Sequence, residues 1–256
     1  MSKIVSIHSF RGGTGKSNIS ANVAAQFALQ GKRVGIIDTD IQSPGIHVLF
    51  GMDENAIKTA LNDYLWGRCT IEEAAYDVSQ VVKAVDPEGD GALYLIPSSV
   101  RADEIAQVLR EGYDVRKLTD GFEALLDKLD LDYLVIDTHP GVNEETLLSV
   151  AISDVMLIVL RPDQQDFQGT AVTVDVARRL GVPNMYLTVN MALTSYSSEA
   201  LKQKIESTYD CPVITVLPLS EPVAQAASSE IFSLSNPLHP FSKGMKEIAA
   251  VIEASE

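Results

Sequence analysis

Two cysteines, one tryptophan and 6% aromatic residues are what this 256-residue chain has least of. Cys69 and Cys211 stand far apart, with no CxxC pair and no histidine at metal-ligand spacing. That excludes a disulfide framework and a cysteine-rich metal site, and leaves two reduced thiols in a cytoplasmic protein. Basic residues are also scarce: 20 Lys and Arg against 35 Asp and Glu give a formal charge of −15. Neutralising nucleic-acid phosphates takes clustered cations, and the adjacent basic pairs here are Lys32-Arg33, Arg116-Lys117 and Arg178-Arg179. DNA is therefore disfavoured as a partner, though a patch assembled across a dimer stays open. No run approaches the roughly 18–20 apolar residues that span a bilayer. The opening MSKIVSIHSF lacks signal-peptide form. Repeats and low-complexity tracts are missing as well. The expectation is a cytoplasmic protein.

What is abundant is aliphatic: hydrophobic residues make up 46% of the chain, mostly Ala, Val, Ile and Leu. Short β-rich runs fall at Ile4–His8, Arg33–Asp38, Ala92–Ile96, Tyr133–Asp137, Val155–Leu160, Met185–Asn190 and Val213–Leu217. Several are apolar on consecutive residues, as strands covered on both faces are. Helical patterns fill the gaps at Ser17–Gln30, Ala102–Arg110, Leu118–Leu129 and Gln168–Leu180. Gly31 and Gly181 sit where C-caps belong. Thr70 to Glu73 has capping-box form ahead of a helix over Ala74–Val78. The turn cluster at 86–91 predicts a hairpin between Val81–Val85 and Ala92–Ile96. The βαβα order predicts an α/β fold: a single domain over 1–256 with one doubly wound, mostly parallel sheet and helices on both faces.

The first strand runs directly into Arg11-Gly12-Gly13-Thr14-Gly15-Lys16-Ser17, and a helix follows. Glycines let successive amides curve around an anion, and the helix N-terminus adds its own free N–H groups. In such a loop Lys16 brings charge to the β- and γ-phosphates, and the Ser17 hydroxyl can ligate Mg2+. Nucleotide contacts are expected from Gly12, Gly13, Thr14, Gly15, Lys16, Ser17 and Asn18. Phe10 stands where the generic GxxxxGK[ST] motif has its first glycine, so that motif is not met.

What the loop resembles is the KGGxxK[ST] loop of the ParA/MinD family of P-loop ATPases, with Arg11 where the family has its signature lysine. The resemblance runs from residue 3 to about residue 225 and implies ATP and Mg2+ as cofactors. In the family the signature lysine crosses a dimer interface to the partner's phosphates. Carried to Arg11, that gives a cation acting in trans; the alternative is a structural ion pair within one chain. The second strand ends Ile36-Ile37-Asp38-Thr39-Asp40. Alternate strand residues share a face, so both acids point toward the phosphates if the strand persists. The resemblance makes Asp40 the residue that positions the attacking water and Asp38 a supporting acid near the metal.

Tyr133-Leu134-Val135-Ile136-Asp137 has Walker B form, with Asp137 holding Mg2+ through water and Ser17. Thr138-His139-Pro140-Gly141 is similar to the family's DTPPG segment, with His139 in the first proline's place. His139 either senses phosphate or simply fills that position. Asn190 and Pro218 match the family's adenine pocket.

The resemblance implies a slow ATPase that dimerises on ATP and positions or regulates intracellular cargo through a protein activator or adaptor. A dethiobiotin-synthetase-type ligase and an ATP-bound scaffold with little hydrolysis are the alternatives. An iron–sulfur carrier would need cysteines paired at a dimer interface, a spacing that Cys69 and Cys211 lack. Near the C-terminus Phe241, Met245, Ile248 and Ile252 make a helical apolar stripe. It suits either a membrane anchor or a helix closing the core, and the nearby acids weigh against the membrane.

Overall fold

Each of the seven expected strands forms where its apolar run lies. In a computed structural model describing residues 2–255, the strands are β1 (Lys3–His8), β2 (Arg33–Asp38), β3 (Tyr76–Asp77), β4 (Ala92–Ile96), β5 (Tyr133–Asp137), β6 (Val155–Leu160), β7 (Asn184–Ala192) and β8 (Val213–Pro218). They build one sheet in the order β3-β4-β2-β5-β1-β6-β7-β8, parallel throughout except where β3 meets β4. Among the described residues the helices of eight or more residues are α1 (Lys16–Leu29), α2 (Ala102–Glu111), α3 (Arg116–Lys128), α4 (Glu144–Ala151), α5 (Gln164–Leu180), α6 (Ser198–Tyr209) and α7 (Pro240–Ala254).

The strand period of two divides the sheet's side chains between two cores. Tyr133 and Val135 pack with α1 and α7, whereas Leu134 and Ile136 pack with α3. Farther along, Met156, Ile158 and Leu160 of β6 meet α5 and α6. Register places Asp38 directly opposite Asp137, so two acids end neighbouring strands side by side. The far end of α1 is pinned by a close approach: a Cβ on Gly91 would run into the carbonyl oxygen of Ala28.

The structure corrects the sequence reading between residues 70 and 96. Thr70 N–H and hydroxyl do donate to Glu73 Oε2, at 2.8 and 3.1 Å. Only a 3-10 turn over Glu72–Ala74 follows, however, and the chain then pairs antiparallel with β4. The edge of β4 offers ladder bonds there, and the Tyr76 hydroxyl is tied to residues 58 and 59. No hairpin forms at Val81–Val85, because Gln80–Lys83 is one helical turn. Its start is fixed by Ser79, whose N–H donates to Asp77 and whose hydroxyl accepts from Leu93 N–H.

At the other end of the chain, Phe241, Met245, Ile248 and Ile252 are all buried in the core shared with α1 and β8. The stripe thus closes the core and is not presented as a membrane-binding face.

Candidate nucleotide site

β1 lies between β5 and β6, the point where the chain winds off in opposite directions and leaves a crevice beyond the strands' carboxyl ends. The glycine-rich loop emerges there. Gly13 and Gly15 take φ values of +78° and +85°, a region costly for residues with a Cβ. Those two left-handed residues curl the main chain. Among the described residues the amides of Gly13, Thr14, Gly15, Lys16 and Ser17 have no acceptor within the chain, and the first helical bond is Ile19 N–H to Gly15 C=O. The loop's outer wall is fixed by Asn190, whose amide donates to Thr14 C=O at 2.8 Å. A Cβ on Gly15 would lie 2.5 Å from that same amide nitrogen.

Lys16 is already engaged. Its Nζ sits 2.7 Å from Asp137 Oδ1, which also accepts from Ser20 Oγ at 2.8 Å. Both charged residues are buried, so each stabilises the other where water cannot. Ser17, expected beside Asp137, leaves that contact to Ser20. Asp38 is buried next to them, and burial, then the Asp137 charge, raises its pKa to about 7.

The acids of β2 do not point the same way, because the strand ends at Asp38. Asp38 accepts from Asp40 N–H at 3.0 Å and from Gly45 N–H at 3.2 Å, shaping the turn that redirects Asp40. Asp40 lines the cleft with its Oδ1 3.7 Å from His139 Nε2. Burial raises its pKa, opposed by His139 and Lys16.

The loop opens into a cleft of about 390 Å³. At one end are Arg11, the loop, Lys16 and Asp40; at the other are Asn190, Pro218, Leu219, Val223 and Phe241. Unpaired amides, a buried ammonium and neighbouring carboxylates suit the phosphates and divalent cation of a nucleotide, and the uncharged end suits a flat base. Arg11 Nη1 lies 3.6 Å from Asp163 Oδ1 and 3.7 Å from Asp166 Oδ1, both in its own chain.

The ParA family model, described as an NUBPL iron-transfer P-loop NTPase, matches residues 1–253. This chain belongs to the ParA family. An uncharacterized ATP-binding protein of Methanocaldococcus jannaschii is 29% identical over 98% of this chain and 87% of its own length. An iron–sulfur cluster carrier protein of Pseudomonas fragi is 26% identical over 96% and 83%. Septum site-determining protein MinD of Pyrococcus horikoshii, solved with Mg-ADP, superposes with a TM-score of 0.80 over 99% of this chain and 97% of that one, at 21% identity.

In this ParA-family chain the cleft gathers Arg11, Gly12, Gly13, Thr14, Gly15, Lys16, Ser17, Asn18, Asp40, Asn190 and Pro218, with Asp38 and Asp137 buried beyond Lys16. Sequence reasoning missed Ser20, although it lies one helical turn after Lys16 on the same face. It also missed Asp163 and Asp166, which hold Arg11, and the base-end residues Ser220 and Val223. Nothing near those positions in the sequence marks them. Cys69 and Cys211 lie outside the cleft, and burial pushes both thiols up to about 11.

Proposed function

We propose that this chain is a switch ATPase: it binds Mg-ATP in the cleft, pairs with a second copy, and hydrolyses slowly. Loss of the γ-phosphate then releases a protein activator or cargo in the cytoplasm. The observation that carries this reading is the continuous cleft joining unpaired loop amides and buried Lys16 to an uncharged, base-sized end. The loop amides and Lys16 hold the phosphates. Ser17, Asp38 and Asp137 hold Mg2+, the acids through water, and the cation offsets phosphate charge when bound. Asp40, redirected by the turn at Asp38, orients the attacking water. Asn190 and Pro218 border the base.

Arg11 gives the switch its second state. Its partners Asp163 and Asp166 cap and open α5, and Arg11 itself is 44% exposed, so its side chain is free to exchange them for a partner's phosphate. The likeness to MinD supports a positioning role. Iron transfer, named in the family model's description and for a relative, is not adopted: Cys69 and Cys211 lie outside the cleft, and the described residues hold no cluster of three His, Cys, Asp or Glu side chains placed to bind a metal.

Light scattering with Mg-ATP and with Mg-ADP, alongside phosphate release, tests the proposal. A dimer with Mg-ATP, a monomer with Mg-ADP and slow turnover are expected. The same mass in both, or turnover that appears only with a small-molecule co-substrate, defeats it.

A further inference from the structure

We infer that His8 is a positioning residue: through Thr138 it ties the segment that follows Asp137 to the strand that feeds the phosphate loop, and so sets where residues 138–141 stand during hydrolysis. This rests on the nucleotide reading of the cleft. His8 ends β1, is fully buried, and places Nδ1 2.8 Å from Thr138 Oγ1. That hydroxyl lies 3.1 Å from Ile7 C=O, which can only accept. With Thr138's single hydroxyl proton given to Ile7, the imidazole donates from Nδ1 and carries a bare lone pair on Nε2.

Nε2 has no partner among the described residues, and the ring borders a cavity of about 10 Å³ lined also by Thr146 and Thr173. Both hydroxyls are committed elsewhere, to His139 C=O and Gly169 C=O, so neither donates to the ring. Burial, then the charges of Lys16 and His139, push the His8 pKa down to about 3. The ring is a fixed neutral donor.

What it fixes is a seam. Thr138 N–H donates to Ile7 C=O at 3.3 Å and Gly141 N–H to Ser9 C=O at 3.1 Å. These bonds bracket His139, which faces Asp40 across 3.7 Å. A residue at position 8 without a donor leaves Thr138 Oγ1 short of one bond and loosens the seam at the point nearest Asp137. The segment that must respond to the γ-phosphate then loses its place, whereas the amides and Lys16 that grip the nucleotide are untouched.

The test compares wild type with His8→Asn, whose Nδ2 can replace the Nδ1 donor, with His8→Val and with Thr138→Val. Readouts are the Kd of a fluorescent ATP analogue with Mg2+, kcat for Mg-ATP, and the protonation of the His8 ring nitrogens by long-range 1H–15N NMR. His8→Val and Thr138→Val should each lower kcat about tenfold, with Kd changed less than about threefold. The double variant should be no worse than either single one. His8→Asn should keep kcat within about threefold of wild type. The wild-type ring should carry its proton on Nδ1 and not titrate between about pH 5 and 9.

A proton on Nε2 in the wild type, or His8→Asn as slow as His8→Val, overturns the inference. Wild-type kcat in a folded His8→Val does the same. Should His8→Val not fold, Thr138→Val and His8→Asn still decide it. If the wild type binds no nucleotide, the cleft reading fails by itself, and the ring protonation still reports on the bond to Thr138.

Discussion

The two ends of the cleft are built by opposite means. At the phosphate end every cation already has an anion: Lys16 lies on Asp137, and Arg11 beside Asp163 and Asp166. At the base end Pro218, Leu219, Val223 and Phe241 present uncharged walls, and Asn190 spends its amide on Thr14 C=O. Binding at the first end is an exchange of partners; at the second it is burial of a flat surface on walls already in place. Phosphate binding is therefore worth only its excess over the internal ion pairs, and chemistry and base recognition are separable by mutation.

Removing the exchange should have the largest effect. Lys16→Ala deletes the cation that both Asp137 and the phosphates use, and calorimetry should show Mg-ATP affinity falling at least about 100-fold. Asp40→Ala should leave affinity within about threefold while turnover drops about 30-fold, in the range of a lost general-base or water-orienting group. Equal losses in both would mean Asp40 grips the nucleotide instead.

Gly15→Ala probes the joint between the two ends. With φ at +85° and Asn190 Nδ2 only 2.5 Å from the new Cβ, the loop must shift. Affinity should fall about tenfold, and adding Asn190→Ala should recover part of it.

The smallest effect in the wild type is the net pH dependence of stability, because two opposed groups near Lys16 offset each other. Asp38, raised from 3.8 to about 7, is protonated when folded and ionised when unfolded within that window, so its contribution is lost as pH rises. His8, lowered from 6.5 to about 3, is neutral when folded and charged when unfolded, so its contribution is lost as pH falls. The two nearly cancel across the shared window. Relative to wild type, Asp38→Asn should lose stability in urea as pH falls from about 7 to 4, and His8→Asn as pH rises from about 3 to 6.5. Each slope should total on the order of a few kcal/mol. Parallel curves for all three proteins would remove the opposition.

What the sequence revealed follows from how locally each feature is encoded. The phosphate loop is contiguous, and Asp137 announces itself by ending an apolar run, so both were readable. So were all seven long strands, because their runs are apolar on successive residues. β3 was not: two residues carry no periodicity, and Tyr76 is held by partners at 58 and 59 that no pattern links to it. The capping bonds at Thr70 formed as read, yet they start a turn without deciding how long it lasts. Asp40's direction depends on a turn made by Asp38 and Gly45. At the base end Asn190 and Pro218 came with the resemblance, whereas Val223 and Phe241 reach the cleft only through the fold.

One contact far from the cleft bears on all of this. α1 is a stiff rod of 14 residues, about 21 Å long, carrying Lys16 at its head, with Ala28 at its tail resting on Gly91. Any side chain at position 91 levers that tail aside, and a rod displaced at one end swings at the other. The aim of the lysine is thus calibrated by a spot on the opposite rim of the sheet, where a surveyor of the pocket would never look.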